Sequence, residues 1–213
     1  SGVFDLTVGD ISRQYAAFGE ATYAITDALH LTAGVRYFDQ DRSTKASVSG
    51  LIPLLFTGVS FNDLSQKASV SHVTEKVTLS YNVTDKALVY ATASSGFRAG
   101  DINPYAFMFP GAPDSFGPES LWNYEVGAKT SWFDDRLVAN GDLFYIDWSD
   151  IIVDAQSLNP LFGYSFNAGK AHSKGVELEL TAIPLDGLEL SLTETYTESQ
   201  LDSVKPGAAA TAG

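Results

Sequence analysis

Trp122-Asn123-Tyr124-Glu125-Val126-Gly127-Ala128-Lys129-Thr130-Ser131-Trp132, then Phe133-Asp134-Asp135-Arg136, then Leu137-Val138-Ala139-Asn140-Gly141-Asp142-Leu143-Phe144-Tyr145: this stretch decides the fold. Its period is two. Trp122, Tyr124, Val126, Ala128, Thr130 and Trp132 fall on one face; Asn123, Glu125, Gly127, Lys129 and Ser131 fall on the other. A strand with one apolar and one polar face alternates in this way. Asp134-Asp135 marks a short turn, after which Leu137, Ala139, Gly141, Leu143 and Tyr145 resume the apolar face.

The unit recurs on both sides of this hairpin. Tyr15, Ala17, Gly19, Ala21, Tyr23 and Ile25 lead through Thr26-Asp27-Ala28 to Leu29, Leu31, Ala33, Val35 and Tyr37. Val73, Val77, Leu79, Tyr81 and Val83, with Glu75 as an exception, lead through Thr84-Asp85-Lys86 to the segment Ala87 to Phe97. Val176, Leu178, Leu180 and Ala182 lead through Pro184-Leu185-Asp186-Gly187 to Leu188, Leu190, Leu192 and Tyr196. That makes four hairpins and about eight strands. The connections between hairpins are long, roughly Gln40 to Lys67, Arg98 to Pro118, Asp150 to Asn167, and from Glu198 onward.

Short turns at one end and long loops at the other describe an all-β, antiparallel, up-and-down transmembrane β-barrel, here a partial one. Several strands reach ten residues, enough to cross a bilayer when tilted. Tyr15, Tyr23, Tyr37, Tyr81, Trp122, Trp132 and Tyr145 stand near strand ends, as interfacial aromatic girdles do. A soluble β-sandwich also alternates, although its strands are usually shorter. A passive porin or small structural barrel is the other alternative. In a membrane barrel Glu20, Arg36, Lys76, Glu125, Lys129, Asp142, Glu177 and Glu179 point into the interior; in a soluble sheet they face water.

Composition narrows the field. Thirteen Lys and Arg against 26 Asp and Glu give a net charge of -13, which excludes the basic footprint that nucleic acid requires. The chain has no cysteine, hence no disulfide framework, zinc-thiolate site or cysteine nucleophile. No stretch of about 18 apolar residues could form a membrane-spanning helix, and Ser1-Gly2-Val3-Phe4 does not begin a signal peptide.

Four blocks in order resemble TonB-dependent outer-membrane receptors. They are Ser95-Gly96-Phe97-Arg98-Ala99-Gly100, the run Pro118 to Lys129, Leu143 to Ile151, and Asn167-Ala168-Gly169-Lys170 with Lys174-Gly175-Val176-Glu177-Leu178-Glu179. The resemblance implies an outer-membrane barrel of 22 strands around a separate plug domain. It implies uptake of ferric siderophores, heme, vitamin B12 or carbohydrate, driven through TonB, which grips a segment ahead of the plug. Residues 1–213 are then expected to be part of the barrel domain, with outer-membrane lipid around it and the plug, and with it the TonB contact, outside the chain.

No catalytic arrangement stands out, so no enzyme activity and no cofactor are expected. His30, His72 and His172 lie in separate strands without metal-ligand spacing. Asp147 and Asp150 near a strand end are the best loop-cation candidates. The candidate ligand-binding residues are Arg98, Asp101, Asn103, Tyr105 and Phe107. Arg98 offers a planar cation to an anionic ligand such as a ferric siderophore, and Tyr105 and Phe107, with Met108 and Phe109, make the loop aromatic. The family's heme receptors carry Phe-Arg-Ala-Pro; Gly100 stands where that Pro would be, and no His lies between Arg98 and Asn103. The segment Leu51 to Phe61 is unusually apolar and is expected over the mouth or against a neighbouring loop.

Overall fold

A computed structural model describes residues 5–49, 65–103, 106, 111–156 and 163–204. Twelve strands follow in order: β1 (Asp5–Ala24), β2 (Leu29–Ser49), β3 (Gln66–Thr84), β4 (Ala87–Arg98), β5 (Asp101–Ile102), β6 (Ser115–Phe116), β7 (Glu119–Trp132), β8 (Leu137–Ser149), β9 (Ile152–Gln156), β10 (Gly163–Asn167), β11 (Gly169–Leu185) and β12 (Leu188–Val204). Eight of them form one sheet in the order β1-β2-β3-β4-β7-β8-β11-β12, and β5-β6 and β9-β10 are small ribbons between them. Every neighbouring pair is antiparallel.

The register keeps the two faces apart over the whole sheet. Tyr23, Leu31, Leu79, Ala91, Val126, Leu143, Val176 and Tyr196 are partners in one continuous row. The next row reads Thr22, Thr32, Thr78, Thr92, Glu125, Phe144, Gly175 and Thr197. Because side chains alternate, a slip of one residue anywhere would put a polar row into the apolar face. Threonine hydroxyls tie the polar row, with Thr22 Oγ1 2.8 Å from Thr32 Oγ1 and Thr78 Oγ1 2.9 Å from Thr92 Oγ1. Gly175 leaves room for its neighbours: a Cβ there would lie 2.2 Å from the Tyr196 carbonyl oxygen and 2.5 Å from the Phe144 ring.

Among the described residues nothing covers the apolar row. Leu79, Val126, Leu143, Val176 and Tyr196 are exposed, while the buried apolar side chains among the described residues are Phe38, Ile102, Ala106 and Ala168. A soluble sandwich would bury this face against a second sheet; the bare face is the lipid side of a membrane wall. The aromatic girdle gives its height. Trp122 and Trp132 stand 10 residues apart on β7 (132 − 122). At about 3.4 Å per residue and a tilt of roughly 45°, that span rises about 24 Å, close to the ~25 Å apolar band of such barrels. The sheet is open, with β1 and β12 at its edges.

The short turns lie at one end. Thr26 Oγ1 accepts the backbone N–H of Leu29 (3.0 Å), and Thr84 Oγ1 that of Lys86 (3.2 Å). The β7–β8 turn holds Phe133, Asp134 and Asp135 at φ 55°, 56° and 67°, and Gly187 sits at φ 85° in the β11–β12 turn.

The structure extends the expected strands at the other end. β1 begins at Asp5, β2 runs on to Ser49 and β3 starts at Gln66, so the expected loop from Gln40 is ladder for its first part. Beyond Tyr37 the outer positions are Asp39, Asp41 and Ser43, so the apolar signal stops while the hydrogen-bonded ladder continues into water. The expected loops Arg98 to Pro118 and Asp150 to Asn167 each contain a ribbon. The apolar segment Leu51 to Phe61 lies outside the described residues.

Candidate functional site

The loop end gathers residues from four separate parts of the chain. Arg98, the last residue of β4, grips Glu119 at the start of β7 in a fork: Nε lies 2.9 Å from Oε1 and Nη2 donates to Oε2 at 3.0 Å. Nη2 also donates to the Ile152 carbonyl (3.0 Å), and the Ile152 N–H donates back to Glu119 Oε2 (2.6 Å). Glu119 is buried. An ionised carboxylate can be buried here because a bidentate guanidinium and a backbone N–H share its charge. Strands β4, β7 and β9 are thereby clasped at one point.

Asp101 and Asn103 continue the clasp. Asp101 pairs with Arg42 of β2, and Arg42 in turn holds Asp10 of β1 at 2.7 Å. Asn103 is 3% exposed and its amide is fully engaged. Nδ2 donates to the carbonyls of Pro113 and Ser165, and Oδ1 accepts the Ser165 N–H, all at 2.8 Å. Asn167 makes a second staple, accepting the Gly117 N–H (2.8 Å) and donating to the carbonyls of Gly117 (3.0 Å) and Asp150 (2.8 Å). Gly100 is a contact position: a Cβ there would lie 2.2 Å from the Phe116 carbonyl oxygen. A proline here would carry a Cβ into that carbonyl oxygen.

Arg98, Asp101 and Asn103 thus meet in one hydrogen-bonded assembly, whereas Tyr105 and Phe107 lie outside the described residues. The sequence reading missed their partners Glu119, Arg42 and Ser165, and the second staple, Asn167. Glu119 and Asn167 stood in the quoted family blocks, and that was the one available signal.

Below this assembly Phe97 packs against Phe38 (ring centroids 4.9 Å) and stacks on His72 (4.4 Å). Farther down the polar wall the expected inward charges share one face. The Tyr90 hydroxyl donates to Glu125 Oε1 (2.5 Å), Lys129 Nζ lies 5.8 Å above the Tyr90 ring, and Asn140 Nδ2 donates to Glu179 (3.2 Å). Lys76 faces Glu20 at 3.5 Å. A recess of about 260 Å³ opens between Tyr90, Lys129, Asn140, Asp142, Glu177 and Glu179. Gly127 gives Tyr90 its seat, since a Cβ there would lie 2.7 Å from the phenol. Among the described residues no three of His, Cys, Asp or Glu stand together as a metal-ligating set, so Asp147 and Asp150 form no such group.

A polar-lined, aromatic-girdled sheet with loops clasped at one end has counterparts. The family described as TonB dependent receptor-like, beta-barrel matches residues 4–213. The chain belongs to that family. Its barrel wall lies in the outer membrane of Gram-negative bacteria, with the short turns on the periplasmic side and the long loops outside. The pesticin receptor of Yersinia pestis is 30% identical over 172 residues, covering 77% of this chain and 23% of that protein. The ferripyoverdine receptor of Pseudomonas aeruginosa is 25% identical over 205 residues, covering 93% of this chain and 22% of that protein. In fold, the ferric yersiniabactin uptake receptor of Yersinia pestis superposes with a TM-score of 0.71 at 24% identity, covering 92% of this chain and 28% of that one. The chain therefore spans about a quarter of the length of the proteins it matches.

Proposed function

We propose that this chain is one sector of the closed barrel of a TonB-dependent importer whose loop end binds a ferric siderophore. The observation that carries the reading is the clasp Arg98–Glu119–Ile152 with its Asn103–Ser165 staple, which holds two outer loops as one unit above a polar wall. A receptor that must recognise a bulky, oxygen-rich chelate needs loops held in a fixed relation before the ligand arrives. The similarity to the ferripyoverdine receptor points the same way. In this reading Asp101 and Asn103 hold the loops, and Arg98, Tyr105 and Phe107 meet the ligand. A plug domain and its TonB-contacting segment lie elsewhere in the protein, and the recess from Tyr90 to Glu179 faces that plug.

Uptake of radiolabelled ferric siderophores by cells with and without the gene tests the proposal. Loss of uptake for one chelate, restored by the wild-type gene and reduced by Asn103→Leu, is the expected result. Undiminished uptake of every chelate after deletion would end the siderophore reading.

A further inference from the structure

The wall does not keep one ladder to its top. Strands β3 and β4 pair from the turn between Thr84 and Ala87 up to Lys76 and Ser94, and no farther. Above that level β3 stays on β2, as far as Gln66 opposite Thr44, while β4 stays on β7, as far as Arg98 opposite Glu119. The loop end is therefore made of two rims. One is the upper part of β1, β2 and β3; the other is the upper part of β4, β7, β8 and β11 with their ribbons. Both β3 and β4 lie inside the strand order, so this seam does not arise from where the sequence begins or ends. The chain passes from one rim to the other only through the turn after Thr84, at the opposite end of the wall.

Backbone directions set where the seam opens. Asn82 donates its N–H to the Ala28 carbonyl, so even-numbered residues of β3 turn their backbone groups to β2 and odd-numbered ones to β4. Glu75 is the last odd residue served. Its N–H donates to Ser95 Oγ (2.8 Å), and that hydroxyl donates to the Glu75 carbonyl (3.5 Å). Lys67, Ser69, Ser71 and Val73 are exposed and have no strand opposite them on this side among the described residues. Val73 pairs with Tyr37, the last apolar pair of β2 and β3; Ser71 and Asp39 follow. An unpaired backbone group is costly in lipid and readily solvated in water. The ladder accordingly holds through the apolar band and parts where the band ends.

Few described contacts cross the seam above Glu75. Arg42 of β2, whose Nε donates to the Asp10 carboxylate of β1 at 3.0 and 2.9 Å, reaches over to Asp101 in β5. Phe97 of β4 packs on Phe38 of β2 and on His72 of β3.

We propose that the seam is a hinge: the two rims swing about the Glu75–Ser95 contact, and the Arg42–Asp101 pair is the latch that holds the mouth narrow. A joint of this kind has two packed arrangements, because rings and ion pairs either meet or part. Asp10 aims the Arg42 guanidinium from its own rim, so the latch depends on a single reach across the gap. It sets the width of the mouth without any ligand, and its test and the uptake assay fail separately.

The test is double electron–electron resonance on the full-length protein in lipid nanodiscs, free of ligand. The chain has no cysteine, so thiols introduced at exposed positions carry the labels in it. Ser69→Cys with Ser115→Cys spans the seam. Ile11→Cys with Ser69→Cys stays in one rim, and Ser115→Cys with Lys170→Cys stays in the other. Across the seam, Asp101→Asn is expected to raise the population at longer distance about five-fold. Asp101→Glu keeps the charge and is expected to stay close to the parent. The parent in about 1 M salt is expected to open in the same sense, because screening weakens a partly exposed pair; Asp101→Asn is expected not to respond to salt. Distances within each rim are expected to hold throughout. A cross-seam distance unmoved by both Asp101→Asn and salt would overturn the proposal. So would equal broadening within a rim, which would mark local loosening of a loop, or an Asp101→Glu variant as open as Asp101→Asn.

Discussion

The wall of this sheet and its loop end are built on different physics. The wall is held by repetition: each of its eight strands pairs with the next wall strand along the chain, and each side chain needs only the right polarity for its face. The loop end is held by a few particular groups. Glu119 joins β4, β7 and β9, and Asn103 joins two loops whose residues are 62 apart in sequence. A wall residue is replaceable by anything of similar polarity and bulk. A loop-end residue is replaceable only by one that makes the same hydrogen bonds, because an orphaned buried polar group is penalised in full. The comparison teaches that stability and specificity are separable here.

The largest effect expected is on the wall. Leu143→Arg places a charge in the apolar band, where Leu143 pairs with Val126 and Val176. The expected loss is about 2–4 kcal/mol, as for arginine at the midplane of such barrels, read as a lower denaturation midpoint in lipid vesicles. An unchanged midpoint would mean that this face does not meet lipid. Next comes Asn103→Leu, which strips three hydrogen bonds from a buried site. It is expected to cost about 1–3 kcal/mol locally, seen as faster proteolysis of the loops, while the denaturation midpoint of the wall stays put. If both move together, the two regions are one cooperative unit and the comparison breaks.

The same contrast explains what the sequence made legible. Residues 122–145 declared the wall because lipid on one side and water on the other impose a two-residue period. The period fades above Tyr37, where the outer positions of β2 turn polar as Asp39, Asp41 and Ser43, so ten further strand residues read as loop. Arg98 read as a free cation because its partner Glu119 is 21 residues away on the next long strand. Asn103's partner was hidden for the same reason: a hydrogen bond to Ser165, 62 residues away, leaves no local pattern. Gly100 read as a missing proline until the Phe116 backbone beside it gave the steric cause.

A smaller effect sharpens the loop side. Arg98→Lys keeps the charge but replaces the fork by a single point donor, so Glu119 loses its bidentate partner. Because Arg98 is 59% exposed in its side chain, water offsets much of the loss, and about 1 kcal/mol or less is expected. Ligand affinity should fall more than stability if Arg98 also meets the ligand. Equal small changes in both would leave it a clasp alone.

The smallest effect belongs to the periplasmic turns, where exposed ion pairs replace buried hydrogen bonds. Asp135 accepts a hydrogen bond from Ser131 and lies 3.4 Å from Lys86. The Ser131 bond first, and then the Lys86 ammonium, hold its carboxyl below the ordinary aspartate range. A depressed carboxyl stabilises the folded turn fully above its unfolded value, near 3.8. That contribution falls away as pH drops through the lower folded value. Asp135→Asn should therefore abolish a small acid-side change in turn mobility, followed by amide exchange at Lys86 and Ser131 as pH is lowered from neutral to below the ordinary aspartate range. Full exposure keeps the effect slight, as surface pairs are screened by water. If the acid limb persists in the variant, another carboxylate governs it, and Asp134 at 3.7 Å from the same ammonium is the first to test.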